Sequence, residues 1–261
     1  MDRYKNKRIY LLGDSISSTD YPWYREALMR LTGAADVYNA GFSGRNTAFI
    51  ACDGAFKRLE DYDPDLVIAL VAGNDAAEKG TVGTFSKDSP NGRLGEEVVS
   101  EVDVNTDFGK LPEGQPLILA IAHIIRRFNE MYYDFKKRAG VTGDVSVDDP
   151  VSCRRLDLVR KPRLVFCTSL PQKRNNDNDP FSDPKGWERR RNAVIECCER
   201  YDVPCLDLYS KVRWDWSKEP YWVPPTSTKL NRGIYTMDGL HPNKYGYEYI
   251  AGIVAGFIET I

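Results

Sequence analysis

Serine, aspartate and histidine residues that could form a nucleophilic site lie near opposite ends of this 261-residue chain. Ser15 follows Gly13 and Asp14 at the end of a short apolar run, and Asp238 and His241 lie three residues apart near the C-terminus. An Asp and a His at this spacing can share one side of a tight turn, so that the carboxylate orients the imidazole toward a nucleophile. Taken alone, Gly-Asp-Ser is also typical of an ordinary turn.

The choice of a general base is narrow because the chain contains 2 histidines. His123 lies in an apolar stretch with helical spacing, where a packed structural histidine is expected. A serine hydrolase built from this chain must therefore use His241.

Glycine-rich segments follow two other predicted strands. One contains Ser43, Gly44 and Arg45, and the other contains Gly73 and Asn74. Glycine lets the backbone approach a ligand closely, and an asparagine amide at a strand end can donate to a developing oxyanion. Each segment by itself is also compatible with a tight turn or a helix cap.

The elements that would position these residues are short apolar strands alternating with amphipathic helices. This rhythm predicts an α/β fold, with a parallel sheet covered by helices on both faces. We predict strands at 8–12, 37–39, 66–71, 164–168 and 203–208, and helices at 22–31, 47–60, 117–138, 187–201 and 245–258. Open α/β sheets bind ligands beyond the carboxyl ends of their strands, which is where Ser15 and both glycine-rich segments fall.

We predict a single domain over residues 1–261, interrupted by insertions that are longer or more polar than ordinary connections. These insertions lie near 79–115, 141–161, 172–186 and 212–235. The last is rich in aromatic residues, including Trp216 and Trp222. Insertions of this kind often form the rim of a binding site.

Composition excludes several classes of protein. Lys and Arg number 36 against 38 Asp and Glu, so a nucleic-acid or membrane partner is not expected. No apolar run is long enough for a membrane span or a signal-peptide core, which predicts a cytoplasmic protein unless an exported chain was trimmed. The 6 cysteines lack zinc-site spacing, so we expect reduced and mostly buried thiols.

Taken together, four segments resemble the sequence blocks of the SGNH (GDSL) hydrolase superfamily. Residues 13–15 resemble the nucleophile block, 43–44 the glycine block, 73–75 the asparagine block and 238–241 the final block. The resemblance implies a flavodoxin-like αβα sandwich with strand order 2-1-3-4-5. It also implies a Ser15, His241 and Asp238 triad, and an oxyanion hole formed by the amides of Ser15 and Gly44 and the side chain of Asn74.

Other chemistries lack their motifs. There is no Gly-x-Ser-x-Gly elbow, His-Glu-x-x-His helix, dinucleotide-binding glycine motif or phosphate loop. Asn175, Asp177 and Asp179 have the spacing of a calcium loop, but Pro180 stands where glycine is required. We therefore expect neither a metal nor a cofactor.

The superfamily implies several substrates, and local features favour one. Aromatic rings near Ser15 and before Asp238, together with polar loops, favour short acyl esters, chiefly acetyl groups, on carbohydrates. These rings are Tyr21, Trp23, Tyr24, Trp214, Trp216, Tyr221 and Trp222. Asp14, Arg45, Trp216 and Trp222 are candidate substrate-binding residues. A lysophospholipase, a thioesterase, an arylesterase or an acyltransferase remains open, as does a binding module with a relict site. The sequence does not predict an oligomeric state.

Overall fold

The computed structural model describes residues 3–51, 53–75, 117–138, 162–171, 184–219 and 233–261. Its centre is a parallel sheet of five strands, ordered β2-β1-β3-β4-β5 as predicted. The strands are β1 (Arg8–Gly13), β2 (Asp36–Gly41), β3 (Leu66–Leu70), β4 (Arg163–Cys167) and β5 (Cys205–Leu206).

Helices cover both faces of this sheet. In chain order the described helices are α1 (Pro22–Thr32), α2 (Thr47–Ile50), α3 (Asp53–Tyr62), α4 (Leu117–Arg138), α5 (Pro184–Arg200), α6 (Leu208–Lys211) and α7 (Lys244–Ile258). Helices α1 and α7 share one core with the sheet, and α2, α3, α4 and α5 share the other. The three layers agree with the predicted sandwich.

Strand β1 shows why the sheet lies at the centre. Tyr10 and Leu12 pack into the core beneath α3 and α4, whereas Ile9 and Leu11 pack into the core beneath α1 and α7. Successive side chains of a strand point to opposite faces, so a strand covered on both faces must be apolar throughout. The continuous apolar runs at β1 and β3 are the consequence.

The strand register aligns the carboxyl ends of the central strands. Gly13 of β1 lies opposite Gly41 of β2 and Leu70 of β3, and Leu70 lies opposite Cys167 of β4. The segments that follow these four residues therefore leave the sheet at one common edge. This edge carries Ser15, the loop with Gly44, and Asn74.

The structure corrects several predicted boundaries. Strand β2 covers six residues instead of three, because it pairs with β1 along the whole length of that strand. The predicted helix 47–60 is two helices, α2 and α3. The predicted strand 203–208 shortens to two residues, because Asp207 begins the next helix by accepting a hydrogen bond from the Ser210 amide.

The structure describes the predicted insertions only in part. The whole of 79–115 and of 141–161 lies outside the described residues, as do 172–183 and 220–232. Residues 184–186, predicted to end an insertion, form the first turn of α5 instead. Proline is favourable at that position because its missing N–H would have no partner there.

Other predictions concern buried groups. His123 is buried on α4, as expected for a structural histidine. The described thiols of Cys167, Cys197, Cys198 and Cys205 are free, and the first three are buried. Within the described ranges, no helix combines the length and apolar character needed to cross a membrane.

Gly246 and Gly252 of α7 allow a matched test of how closely this helix packs against the segment at Tyr235. A Cβ added at Gly246 would lie 2.1 Å from the Tyr235 carbonyl oxygen, whereas one added at the exposed Gly252 would meet nothing within 4 Å. We expect Gly246→Ala to lower the free energy of unfolding. Gly252→Ala should raise it by about 0.5–1 kcal/mol, because alanine loses less backbone entropy in a helix.

Urea unfolding of both variants beside the parent chain measures this difference. Equal stabilisation by the two substitutions would contradict the close packing of α7 against the segment at Tyr235.

Candidate active site

Ser15, His241 and Asp238 form a hydrogen-bonded row at the carboxyl edge of the sheet. The Nε2 atom of His241 lies 3.0 Å from Ser15 Oγ, and its Nδ1 atom lies 2.7 Å from Asp238 Oδ2. The His241 and Asp238 side chains are 16% and 19% exposed, so the row is shielded without being closed to solvent. A hydroxyl, an imidazole and a carboxylate in this order can generate a nucleophilic oxygen.

The turn that carries Asp238 and His241 is organised around the Asp238 carboxylate. Asp238 Oδ1 accepts hydrogen bonds from the amides of Leu240 and His241, at 3.0 and 2.7 Å. Gly239 adopts a φ of 83°, a conformation that glycine tolerates without strain. The carboxylate thus closes the turn and holds the imidazole.

Asp238 remains ionised in this environment. Burial alone would raise its pKa, but the His241 ring and the two backbone amides outweigh burial and hold the pKa below its ordinary value. The carboxylate therefore accepts a hydrogen bond from the Nδ1–H group, which leaves Nε2 as the ring nitrogen that faces Ser15.

A second carboxylate, that of Glu219, holds this turn in place through hydrogen bonds. Glu219 is buried and accepts hydrogen bonds from the amides of Tyr235 and Thr236, both at 2.9 Å, and from the Thr236 hydroxyl at 2.6 Å. The same hydroxyl accepts a hydrogen bond from the Gly239 amide at 3.1 Å. A continuous chain of hydrogen bonds therefore joins Glu219 to the Asp238 turn.

At the other end of the row, Ser15 begins a short 3₁₀ turn, Ser15–Ser17, which follows β1. Asp14 caps this turn by accepting a hydrogen bond from the Ile16 amide at 3.0 Å. The turn packs tightly against β2, since a Cβ at Gly41 would lie 2.1 Å from the Asp14 carbonyl oxygen. Glycine at 41 thus permits the close approach that fixes the nucleophile.

Asp14 is placed differently from a residue at the mouth of a site. The side chain is 3% exposed and lies against Gly73, where an added Cβ would come within 2.2 Å of Asp14 Oδ2. Burial raises the pKa of Asp14 to about 6, against the opposing effects of the Ile16 amide and the His241 charge. From this buried position Asp14 lines the small cavity beside Ser15, and its role in substrate binding stays a prediction.

The two predicted oxyanion segments contact each other, and Asn74 shares a small cavity with Ser15. Asn74 Nδ2 donates to the Arg45 carbonyl oxygen at 3.2 Å, which joins the loop after β3 to the loop after β2. Gly44 is exposed, with a φ of 73°, and an added Cβ there would meet nothing within 4 Å. Glycine at 44 is therefore favoured by its backbone conformation rather than by crowding.

The Arg45 side chain contacts an aromatic ring of α2. Its guanidinium lies 4.6 Å from the centre of the Phe49 ring, and its side chain is exposed. Within the described residues Arg45 has no ion-pair partner, and its role in substrate binding stays a prediction.

A small cavity lies directly beside the nucleophile, with room for about one water molecule or a group of similar size. Its lining combines polar groups of the site with apolar side chains from the ends of β3 and β4 and from the histidine turn. The lining residues are Asp14, Ser15, Ile16, Leu70, Gly73, Asn74, Ser169, Leu170 and Leu240.

Aromatic side chains cover the outer side of His241. The Tyr21 ring lies 5.6 Å from the imidazole, between centroids, and Trp23 and Tyr247 pack against Tyr21 at 6.4 and 5.9 Å. Tyr21 and Trp23 are half-buried, so this aromatic surface borders the site as the sequence suggested.

Other aromatic residues singled out in the sequence lie elsewhere. Tyr24 is fully buried, and Trp214 is 5% exposed in the core, where its ring stacks on Tyr235 at 5.5 Å. The Trp216 side chain and all of Trp222 lie outside the described residues.

Three buried residues that form hydrogen bonds with loops of the site escaped sequence reasoning, namely Glu219, Thr47 and Arg190. Thr47 follows Asn46 at a helix start, a pattern already explained by capping. Glu219 and Arg190 lie in segments rich in charge, where a buried side chain gives no distinct signal. Among the described residues, no group of three or more His, Cys, Asp or Glu side chains could hold a metal ion.

The raised pKa of Asp14 predicts a pH-dependent effect of Asp14→Asn on stability. Because the folded pKa of about 6 exceeds the ordinary value of 3.8, the parent chain loses stability as the pH rises through this interval. An amide keeps the cap without a buried charge. The variant should therefore gain stability relative to the parent, by up to about 3 kcal/mol at pH 8 and nothing at pH 4.

Thermal unfolding at pH 4, 6 and 8 tests this expectation. A difference between the two proteins that stays constant across this range would show that the Asp14 carboxyl group does not titrate in it.

Comparison with solved structures supports the same architecture. A protein from Lactobacillus plantarum superposes with a TM-score of 0.55 at 15% identity, with 98% of both chains covered. A GDSL-like lipase from Parabacteroides merdae gives a TM-score of 0.52 at 13% identity, with 98% of this chain and 97% of that one covered. At these identities the likeness concerns the fold alone.

Comparison of sequences gives information beyond the fold. No curated protein matches the chain. The GDSL-like lipase/acylhydrolase family matches residues 11–249, a span that includes Ser15, the two oxyanion segments and the Asp238 turn. The chain therefore belongs to the GDSL-like lipase/acylhydrolase family of the SGNH superfamily and is a hydrolase that acts on esters.

Proposed function

We propose that this enzyme hydrolyses short-chain acyl esters, chiefly acetyl groups on carbohydrates, through an acyl-enzyme on Ser15. The observation that carries the proposal is the row from Ser15 Oγ through His241 to Asp238, with hydrogen bonds of 3.0 and 2.7 Å. The family supports ester hydrolysis, and the substrate is inferred from the surroundings of the row.

In the first step Ser15 Oγ attacks the ester carbonyl carbon while Nε2 of His241 takes the hydroxyl proton. The negative oxygen of the tetrahedral intermediate is met by the amides of Ser15 and Gly44 and by the Asn74 side chain. The intermediate collapses as the imidazolium returns its proton to the departing alcohol. An acyl group then remains on Ser15.

In the second step water replaces the alcohol. The water oxygen attacks the acyl carbonyl carbon while His241 takes a proton from the water. The proton then passes to Ser15 Oγ as the carboxylic acid leaves. Asp238 stabilises the imidazolium in both steps, since its carboxylate stays ionised beside the ring.

The small cavity beside Ser15 supports a short acyl group. It has room for about one methyl-sized group, and Leu70, Leu170 and Leu240 supply an apolar lining. An acetyl methyl suits such a cavity, whereas a longer chain would have to turn away from it.

The aromatic surface beside His241 supports a carbohydrate as the alcohol. Tyr21 and Trp23 are half-buried, the Tyr21 ring lies next to the base, and Trp23 packs against Tyr21. Flat amphipathic rings pack well against the apolar face of a pyranose while their polar atoms remain hydrated. The sequence adds Trp216 and Trp222 in the insertion that precedes the Asp238 turn.

The first test is hydrolysis of p-nitrophenyl esters from acetate to decanoate, with Ser15→Ala as the inactive control. We expect the acetate to be fastest, a steep loss of rate by about four carbons because the cavity is small, and no turnover by the variant. The measurement is kcat/KM for each ester.

Faster hydrolysis of long chains would replace the acetylesterase proposal with a lysophospholipase or a thioesterase. Acyl transfer to an added alcohol that outruns hydrolysis would indicate an acyltransferase. Full activity of Ser15→Ala would overturn the assignment of the nucleophile.

A second test concerns the carbohydrate. Trp216→Ala and Trp222→Ala should each raise KM for acetylated xylo-oligosaccharides by about 3- to 10-fold, because each removes a ring face worth roughly 1 kcal/mol. KM for p-nitrophenyl acetate should stay constant, since that ester carries no sugar.

Tyr201→Ala is a suitable control because its ring is 38% exposed at the end of α5, beside the amino end of β5. Unchanged KM for the oligosaccharide in both tryptophan variants would remove the support that these residues give to a sugar substrate.

A further inference from the structure

Arg190 is a buried charged residue that reaches the site from outside the four sequence blocks. It lies in α5, is 1% exposed, and is the largest fully buried side chain among the described residues. Burying a guanidinium is costly unless it is paired and hydrogen-bonded. Its contacts therefore indicate what the residue does.

The guanidinium binds the backbone on both sides of Asn74. Arg190 Nη1 donates to the Gly73 carbonyl oxygen at 3.4 Å and to the Asp75 carbonyl oxygen at 2.5 Å. The Gly73 carbonyl group belongs to the peptide unit that precedes Asn74, and the Asp75 carbonyl group belongs to the residue that follows Asn74. One side chain thus restrains the direction in which the Asn74 amide projects.

The loop needs this restraint because its backbone is strained. Ala72 has a φ of 72°, in the left-handed region that disfavours a residue with a Cβ. Strained residues persist where their surroundings over-determine them. The Thr47 hydroxyl accepts a hydrogen bond from the Ala72 amide at 3.0 Å and donates to Asp75 Oδ2 at 2.7 Å.

Asp75 connects the two restraints. Its buried carboxylate also accepts a hydrogen bond from the Thr47 amide, at 3.1 Å to Oδ2, and it lies within the field of the Arg190 charge. Burial raises the pKa of Asp75, while Thr47 and Arg190 oppose that rise. Residues 72–75 are therefore held by Thr47 on one side and by Arg190 on the other.

The shape of arginine matters as well as its charge. The guanidinium stacks on the Trp187 ring at 3.6 Å from the centroid, one turn earlier on the same helix. A planar cation can stack and donate in its plane at the same time, which the compact ammonium of lysine cannot reproduce.

We propose that Arg190 is a positioning residue for the oxyanion hole, acting through Asn74 by fixing the Gly73 and Asp75 carbonyl groups. The inference rests on the proposed function, in which the Asn74 amide donates to the oxyanion. Since Asn74 stabilises the transition state more than the bound ester, loss of Arg190 lowers kcat and leaves KM nearly constant.

The test is a double-mutant cycle on p-nitrophenyl acetate with Arg190→Met, Arg190→Lys and Asn74→Ala. Asn74→Ala alone should lower kcat about 10²- to 10³-fold. In the parent background we expect Arg190→Met to lower kcat about 10- to 100-fold and Arg190→Lys to restore part of that loss. In the Asn74→Ala background both substitutions should change kcat by less than about twofold.

Arg191→Met is the matched control. Arg191 is the next residue of α5 and pairs with Asp207 at 2.5 to 3.0 Å, away from the loop at Asn74. It should lower the unfolding temperature without changing kcat. Unfolding temperatures of all variants separate a loss of fold from a loss of positioning, and Arg190→Lys retains the buried charge if Arg190→Met fails to fold.

The outcomes distinguish this inference from the proposed function. Normal kcat in Asn74→Ala would overturn the oxyanion role of Asn74 and, with it, the role of Arg190. Low kcat in Asn74→Ala with normal kcat in both Arg190 variants would overturn the positioning role alone. An Arg190 effect of undiminished size in the Asn74→Ala background would also overturn it, because Arg190 would then act independently of Asn74.

Discussion

The hydrogen bond between Ser15 Oγ and His241 Nε2 joins residues that are 226 positions apart in sequence. The fold sets the position of both groups, since Ser15 follows the central strand β1 and His241 precedes the last helix, α7. Helix α7 packs with α1 on one face of the sheet, and the Tyr247 hydroxyl donates to the Ile16 carbonyl oxygen at 3.2 Å. The packing of this layer therefore sets the distance on which nucleophilic chemistry depends.

Two loops of the candidate site, those of Asp238 and Asn74, are held by buried polar networks. Glu219 and Thr236 support the turn of Asp238, while Arg190 and Thr47 surround the loop of Asn74. Satisfied polar networks in a low-dielectric interior are rigid, and preorganised donors are worth more than donors that must reorient during the reaction. The two networks therefore fix the positions of the loops that carry Asp238 and Asn74.

The sequence predicted the bounds of the central strands more accurately than those of the two edge strands. Central strands are buried on both faces, so their apolar runs at β1 and β3 were plain, and β4 was placed to within one residue. Strand β5 lies at the edge of the sheet and ends where α6 begins, at Asp207. Strand β2 is longer than predicted because it pairs with β1, and its own residues do not indicate this pairing. The division between α2 and α3 accompanies a contact of Thr47 with Asp75, which lies 28 residues away.

The sequence by itself predicted the parallel sheet and the short list of groups able to react, because these depend on residue types and on local spacing. The strand order followed only from the resemblance of four sequence blocks to a known superfamily. His241 was identified because the chain offers one other histidine, and that residue lies in a core helix. Only the tertiary structure decided that Asp14 is buried next to Ser15, that Trp214 belongs to the core, and that Arg190 and Glu219 are buried against the loops of the candidate site. Burial of a charged side chain depends on partners distant along the chain, and no local pattern of residues encodes those contacts.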